Sequence, residues 1–174
     1  MTELEQCVLG VIWQGGPLTA YEIAKPFASS LSSYWSGSAG AIYPLVRRLE
    51  EKGLIVGESA EWNSRRKRTF TLSPAGLQSL REWLSPPFGP SVGAATFDPI
   101  RTRIVFLGAL PPRARKRFVD DAIRVVRERL VELEALYETE RATGRKLDAL
   151  GTRGAIYELR ARLEWLDGVR EELQ

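Results

Sequence analysis

Histidine is absent from these 174 residues, which removes the commonest general base and the commonest metal ligand. A single cysteine, Cys7, excludes an internal disulfide framework and a cysteine-rich zinc site. Its neighbours Val8 and Leu9 point to a small buried thiol and not to a nucleophile. No run approaches the roughly 18 apolar residues that a membrane-spanning helix needs, and Met1-Thr-Glu-Leu-Glu lacks the positive flank and apolar core of a secretory signal. A phosphate-cradling glycine loop and a nucleophile–base pair are missing too. The expectation is a cytoplasmic non-enzyme that needs no metal or cofactor. Charge of one sign is equally scarce: 25 Lys and Arg against 22 Asp and Glu leave a formal net charge of +3. A nucleic-acid partner would have to be bound by local clusters of cations, since no diffuse field is available.

What is present is ordinary globular composition, 44% apolar and 27% charged, in a length that holds one domain or two small ones. Thr2-x-x-Glu5 is a capping box ahead of a helix whose Leu4, Val8, Val11 and Ile12 recur at helical spacing, and Gly15-Gly16-Pro17 ends it. Thr19-x-x-Glu22 opens a second helix carrying Tyr21, Ile23, Ala24 and Phe27, in which Pro26 is expected to force a kink or an early stop. A third helix is capped by Ser38 and stopped by Gly53. Ile42, Leu45, Val46 and Leu49 form its apolar stripe, with Gly40, Pro44, Arg47 and Glu51 opposite, flanked by Tyr43 and Arg48. Such a helix suits end-first entry into a major groove, its small leading turn against bases and its arginines near phosphates.

Leu54 to Trp62 and Lys67 to Leu72 have strand composition, joined by Asn63-Ser64-Arg65-Arg66 as a turn. The cluster Arg65-Arg66-Lys67-Arg68 is either a solvated hairpin tip or a phosphate grip, and its place directly after the third helix favours the grip. Ser73-Pro74 then starts a helix through Leu77, Leu80 and Trp83 to about Leu84. Helix, strand, basic tip and strand in this order read as a winged helix-turn-helix.

Residues from about Cys7 to Leu84 resemble the PadR family of transcriptional regulators. The resemblance lies in Gly16-Pro-Leu-Thr-Ala-Tyr-Glu-Ile23, in Ala41-Ile-Tyr-Pro-Leu-Val-Arg-Arg-Leu-Glu-Glu-Lys-Gly-Leu54, and in Phe70-Thr-Leu-Ser-Pro-Ala-Gly76. It implies a dimeric winged-helix repressor whose wing touches the DNA backbone and whose C-terminal helices pair the subunits. Candidate DNA contacts are Thr19, Tyr21, Lys25, Ser38, Ala39, Gly40, Ala41, Tyr43, Pro44, Arg47, Arg48, Arg65, Arg66, Lys67 and Arg68. Ser38-Ala-Gly-Ala41 offers one hydroxyl where many family members carry larger polar groups, so specificity is expected to lean on thymine methyls and DNA shape.

Ser85 to Phe97, rich in Pro, Gly and Ser, reads as a linker, with a ligand-lining loop through Phe88 and Phe97 as the alternative. Asp98-Pro99 starts a short helix with Ile100, Ile104, Leu107 and Leu110, and Pro111-Pro112 begins a long one. The long helix carries a stripe of Val119, Ile123, Val126, Leu130, Leu133 and Tyr137. A last helix carries Ile156, Leu159, Leu163, Leu166, Val169 and Leu173, beside Trp165, with Thr152 as cap and Gly144 and Gly151 bracketing the connecting turn. Stripes of this kind pack as an antiparallel pair and tend to bury themselves against a second subunit, so these residues (Leu173 aside) and Trp165 are the candidate dimer interface. Arg113-Ala-Arg-Lys-Arg117 reads as a solvated helix start, with a DNA-backbone role as the alternative.

The whole is expected to be mainly α with a small two-stranded β-wing. Residues 1–84 would form the winged helix-turn-helix, 85–98 a linker, and 99–174 a helical dimerisation domain. The expected function is a sequence-specific homodimeric repressor of a near-palindromic operator, modulated by a small-molecule effector or a partner. A protein-interaction module that has lost operator binding is the alternative.

Overall fold

The computed structural model describes residues 1–31, 39–62, 65–94 and 97–173, and side chains at 39, 60–62, 65 and 66 are not among those described. Two compact units emerge, Met1–Ala94 and Ala95–Gln174.

In the first unit both capping boxes form. Thr2 Oγ1 accepts from the Glu5 amide at 3.2 Å while the Glu5 carboxylate accepts from the Thr2 amide at 2.8 Å, and α1 runs Glu3–Gly15. Thr19 and Glu22 repeat the exchange at 3.2 and 2.8 Å and open α2, Ala20–Ala28. Pro26 lies inside α2, which stops two residues after it, as a residue without an amide donor predicts. Helix α3 spans Ala39–Glu51, and its expected cap, Ser38, lies outside the described residues. Gly53 follows with φ +69°, a left-handed stop that an L side chain rarely adopts.

Strands β1 (Ile55–Trp62) and β2 (Arg65–Leu72) pair antiparallel from Ile55↔Leu72 to Trp62↔Arg65. Arg65 and Arg66 therefore belong to the second strand and not to the turn assigned from sequence. The ladder, which local composition does not report, carries the pairing that far. Asn63 and Ser64 lie outside the described residues. Leu18 adds one rung on the free edge of β2, exchanging backbone bonds of 2.8 and 3.1 Å with Phe70. Helix α4, Pro74–Leu84, starts at Ser73, whose hydroxyl accepts from the Gly76 amide and donates to the Gly53 carbonyl at 2.6 Å.

The core of this unit is built from Leu9, Ile23, Phe27, Ile42, Leu45 and Leu49 among others, each at most 2% exposed. Burying a side chain of this size contributes roughly 1.5–3 kcal/mol. The stripe of α3 thus faces inward as its periodicity requires. Cys7 packs against this core, and burial pushes its thiol up to about 11, so it stays protonated near neutrality.

Lys52 reaches from the end of α3 to the buried Glu5 carboxylate at 2.9 Å, tying it to the start of α1. The Lys52 ammonium first, and the Thr2 amide next, hold the Glu5 carboxyl below its ordinary value. Glu22 is lowered by the Thr19 amide first and the Thr19 hydroxyl next, with Lys67 adding to it. A carboxyl depressed in the folded state contributes stability above its unfolded value, and loses it as pH falls through the folded one. The melting temperature should therefore decline in acid, below about the ordinary carboxylate pKa of 4.5, and the decline should be shallower in E5Q and E22Q. A melting profile that is flat from neutrality to strong acid would contradict this.

The second unit begins with α5, Pro99–Ile104, capped by the buried Asp98, which accepts from the Ile100 and Arg101 amides and holds Arg162 at 2.7 Å. That helix is shorter than expected: Leu107 lies in a separate 3-10 turn, Leu107–Ala109, and Leu110 follows it. Helices α6 (Pro112–Ala142) and α7 (Lys146–Glu172) form an antiparallel hairpin. Thr152 does not cap α7. It sits nearly two turns inside, where its hydroxyl donates to the buried Glu140 carboxylate at 2.7 Å, and Gly151 is helical beside it. Val119, Ile123, Val126 and Leu166 are at most 4% exposed inside a cluster that Leu159, Leu163, Trp165 and Val169 flank.

Candidate nucleic-acid interface

Because Ile42, Leu45, Val46 and Leu49 anchor α3 in the core, the opposite side of that helix has to face solvent. Gly40, Ala41, Pro44, Arg47 and Arg48 are exposed, and Tyr43 is 48% exposed. The leading part of this face is flat and aliphatic, and its trailing part is cationic. Among the described residues neither Arg47 nor Arg48 has an ion-pair partner, so both guanidinium groups are available to an anion. Their pairing potential, with five fixed donors each, suits phosphate oxygens or a guanine edge.

Helix α2 places Tyr21, 66% exposed, and Lys25 on the surface. Thr19 is spent differently: its hydroxyl donates to Glu22 Oε2 at 2.7 Å while accepting from the Glu22 amide, so its side chain serves the cap.

The wing cations are not equivalent. Lys67 Nζ stands 3.7 Å from Glu22 on α2, whereas Arg68 donates to Glu50 on α3 at 2.7 Å and stacks over the Phe70 ring. The side chains of Ala39, Arg65 and Arg66, and the whole of Ser38, fall outside the described residues. The sequence marks Glu22 only as half of a capping box and Glu50 only as part of a motif, and neither as a partner of the wing cations. The signal that could have found the second is strand alternation, which puts Arg68 on the same face as the core residue Phe70.

On the helical unit, Val119, Ile123, Val126 and Leu166 are covered within one chain and present no surface to a second copy. Leu130, Tyr137, Leu159, Leu163, Trp165 and Val169 are half-buried, Leu133 and Ile156 buried. Exposed apolar side chains of the hairpin are instead Val125, Val131, Leu147, Leu150 and Tyr157. In the basic run, Arg115 donates to the Leu110 carbonyl at 2.7 Å and the Gly108 carbonyl at 3.2 Å, closing the turn before α6, while Arg113, Lys116 and Arg117 are exposed. Phe88 and Phe97 are also exposed. Among the described residues no helix is long and apolar enough to cross a membrane.

Comparison with known proteins agrees with this geometry. Residues 8–82 match the model of the transcriptional regulator PadR-like family, and residues 98–174 match that of the virulence activator alpha C-terminal region. The negative transcriptional regulator PadR of Bacillus subtilis is 26% identical over 141 residues, covering 79% of this chain and 75% of its own. The crystal structure of Bacillus subtilis PadR in complex with operator DNA is similar at a TM-score of 0.83, covering 99% of this chain and 100% of that one at 21% identity. The same protein in complex with p-coumaric acid is similar at a TM-score of 0.72, covering 98% and 94% at 22% identity. At such identities the structural likeness speaks for the winged-helix fold.

Proposed function

We propose, from the match of residues 8–82 to the PadR-like family model and the likeness to a curated PadR regulator, that this chain is a PadR-like transcriptional regulator acting as a homodimeric repressor of a near-palindromic operator. The observation that carries the reading is the outer face of α3. Its other side is locked in the core, its leading turn is small and flat, and Arg47 and Arg48 are held outward without carboxylate partners among the described residues. In this reading Gly40, Ala41, Tyr43 and Pro44 approach base edges, with Ser38 and Ala39 leading. Arg47, Arg48, Tyr21 and Lys25 meet the flanking backbone together with the wing cations Arg65, Arg66 and Lys67.

Two-fold pairing through the helical unit would present two such helices to DNA about one helical turn, roughly 10 base pairs, apart. The half-buried residues of α6 and α7 and the exposed Val125, Val131 and Tyr157 supply apolar surface for that pairing. A small molecule or a protein partner that changes the spacing of the two wings would release the operator, and the related Bacillus protein has been captured both with operator DNA and with p-coumaric acid.

Selection of duplexes from a random pool tests the reading. The expected product is a pair of inverted half-sites with one-turn spacing and affinity that falls steeply with salt. A pool that yields no enriched sequence would leave a winged-helix scaffold without operator binding.

A further inference from the structure

We infer that Arg68, Glu50 and Gly57 form a clasp that positions the wing against the recognition helix, and that Arg68 is a positioning residue and not a phosphate contact. The inference rests on the reading that α3 and the wing engage DNA together. Arg68 Nη2 donates to Glu50 Oε1 at 2.7 Å, and Glu50 lies at the end of α3, one turn beyond Arg47. The guanidinium carbon sits 5.5 Å from the centroid of the Phe70 ring. Phe70 is 7% exposed and bonded through its backbone to Leu18, so the platform beneath the guanidinium is part of the core.

Gly57, opposite Phe70 in the ladder, makes this arrangement possible by having no side chain. A Cβ there would collide with Glu50 Oε1 and would stand 2.8 Å from Arg68 Nε and 3.0 Å from Phe70 Cε1. Three elements (the end of α3, β1 and β2) thus converge on one guanidinium. To reach a phosphate, Arg68 would have to leave both the carboxylate and the ring, and would leave an unpaired Glu50 facing a polyanion. Lys67 is different, because its separation of 3.7 Å from Glu22 is a loose contact that phosphate can displace. An exposed ion pair contributes little to global stability. Its effect here is directional: it fixes the angle between the wing and α3, and the wing's other cations depend on that angle.

The test uses the full chain, a duplex enriched by it from a random pool, and fluorescence anisotropy over a range of salt. R68Q and E50Q should each weaken binding about fivefold, the double variant should be no weaker than either single one, and the salt slope should not change. The exchanged pair E50R/R68E should recover most of the lost affinity. Tighter binding by E50Q overturns the inference, because that is what freeing a phosphate-seeking arginine would do. So does a salt slope flattened by roughly 2 in R68Q, the mark of one lost phosphate contact per subunit. Amide hydrogen exchange without DNA separates this inference from the functional reading. Both single variants should speed exchange in β1 and β2 but not in α1, and unchanged strand exchange refutes the clasp even if no operator is found.

Discussion

Gly76→Ala is expected to lower the melting temperature by about 6–12 °C, since overpacking of this kind costs about 3 kcal/mol, and among the described glycines this is the one where an added methyl group would meet backbone. A Cβ at Gly76 would land on the carbonyl oxygen of Leu54, and backbone cannot rotate out of the way as a flexible side chain can. That carbonyl already accepts the Ser73 amide at 3.1 Å, and the Ser73 hydroxyl holds the Gly53 carbonyl and the Gly76 amide. Four residues therefore join the stop of α3 to the start of α4, and displacing one displaces all. Ser73→Ala gives the scale for comparison: it removes the cap without a clash and should cost only about 1 kcal/mol. Thermal melts of the two variants decide the matter. A G76A protein that melts beside the parent would mean that α4 is free to shift away from Leu54.

The second large effect concerns binding. With Arg47 and Arg48 both changed to alanine, affinity for the selected operator should fall by about two to three orders of magnitude, as expected for four lost cations in the proposed dimer. The salt slope should become less steep by roughly 3 to 4 if all four meet phosphates. If one of them reads a base, its single variant should relax preference at one position and leave the slope nearly as it was. Folding should be untouched, because both side chains are exposed and make no ion pair among the described residues. Equal affinity of the double variant and the parent, measured by anisotropy, would remove the outer face of α3 from the mechanism.

The parts of this molecule that could be read ahead of the structure are those governed by neighbours three or four residues apart. Both capping boxes, the Ser73-Pro74 start, the Gly53 stop and the inward stripe of α3 are of this kind. So is the outward face that follows from the stripe: once Ile42, Leu45, Val46 and Leu49 go in, Tyr43 and Arg47 have to go out. Errors fell where a distant partner decides. The placement of Arg65 and Arg66 in a strand depends on β1, a separate stretch of chain. Thr152 has the composition of a cap, yet α7 begins at Lys146, and a carboxylate on α6 uses the hydroxyl instead. The stripes of α6 and α7 announced that they would be covered. Periodicity does not say by what, and for Val119, Ile123, Val126 and Leu166 the nearest cover was the same chain.

From residue order alone come the helices, the ends set by Thr2, Thr19, Gly53 and Ser73, the family resemblance and the list of cations that an anion could meet. Tertiary structure alone assigns those cations their present partners: Lys52 to Glu5, Arg68 to Glu50 over Phe70, Arg115 to two carbonyls, and none among the described residues for Arg47 and Arg48. The reason is that a charge is a property of one residue, whereas its availability depends on whether folding has brought a carboxylate or carbonyl within reach.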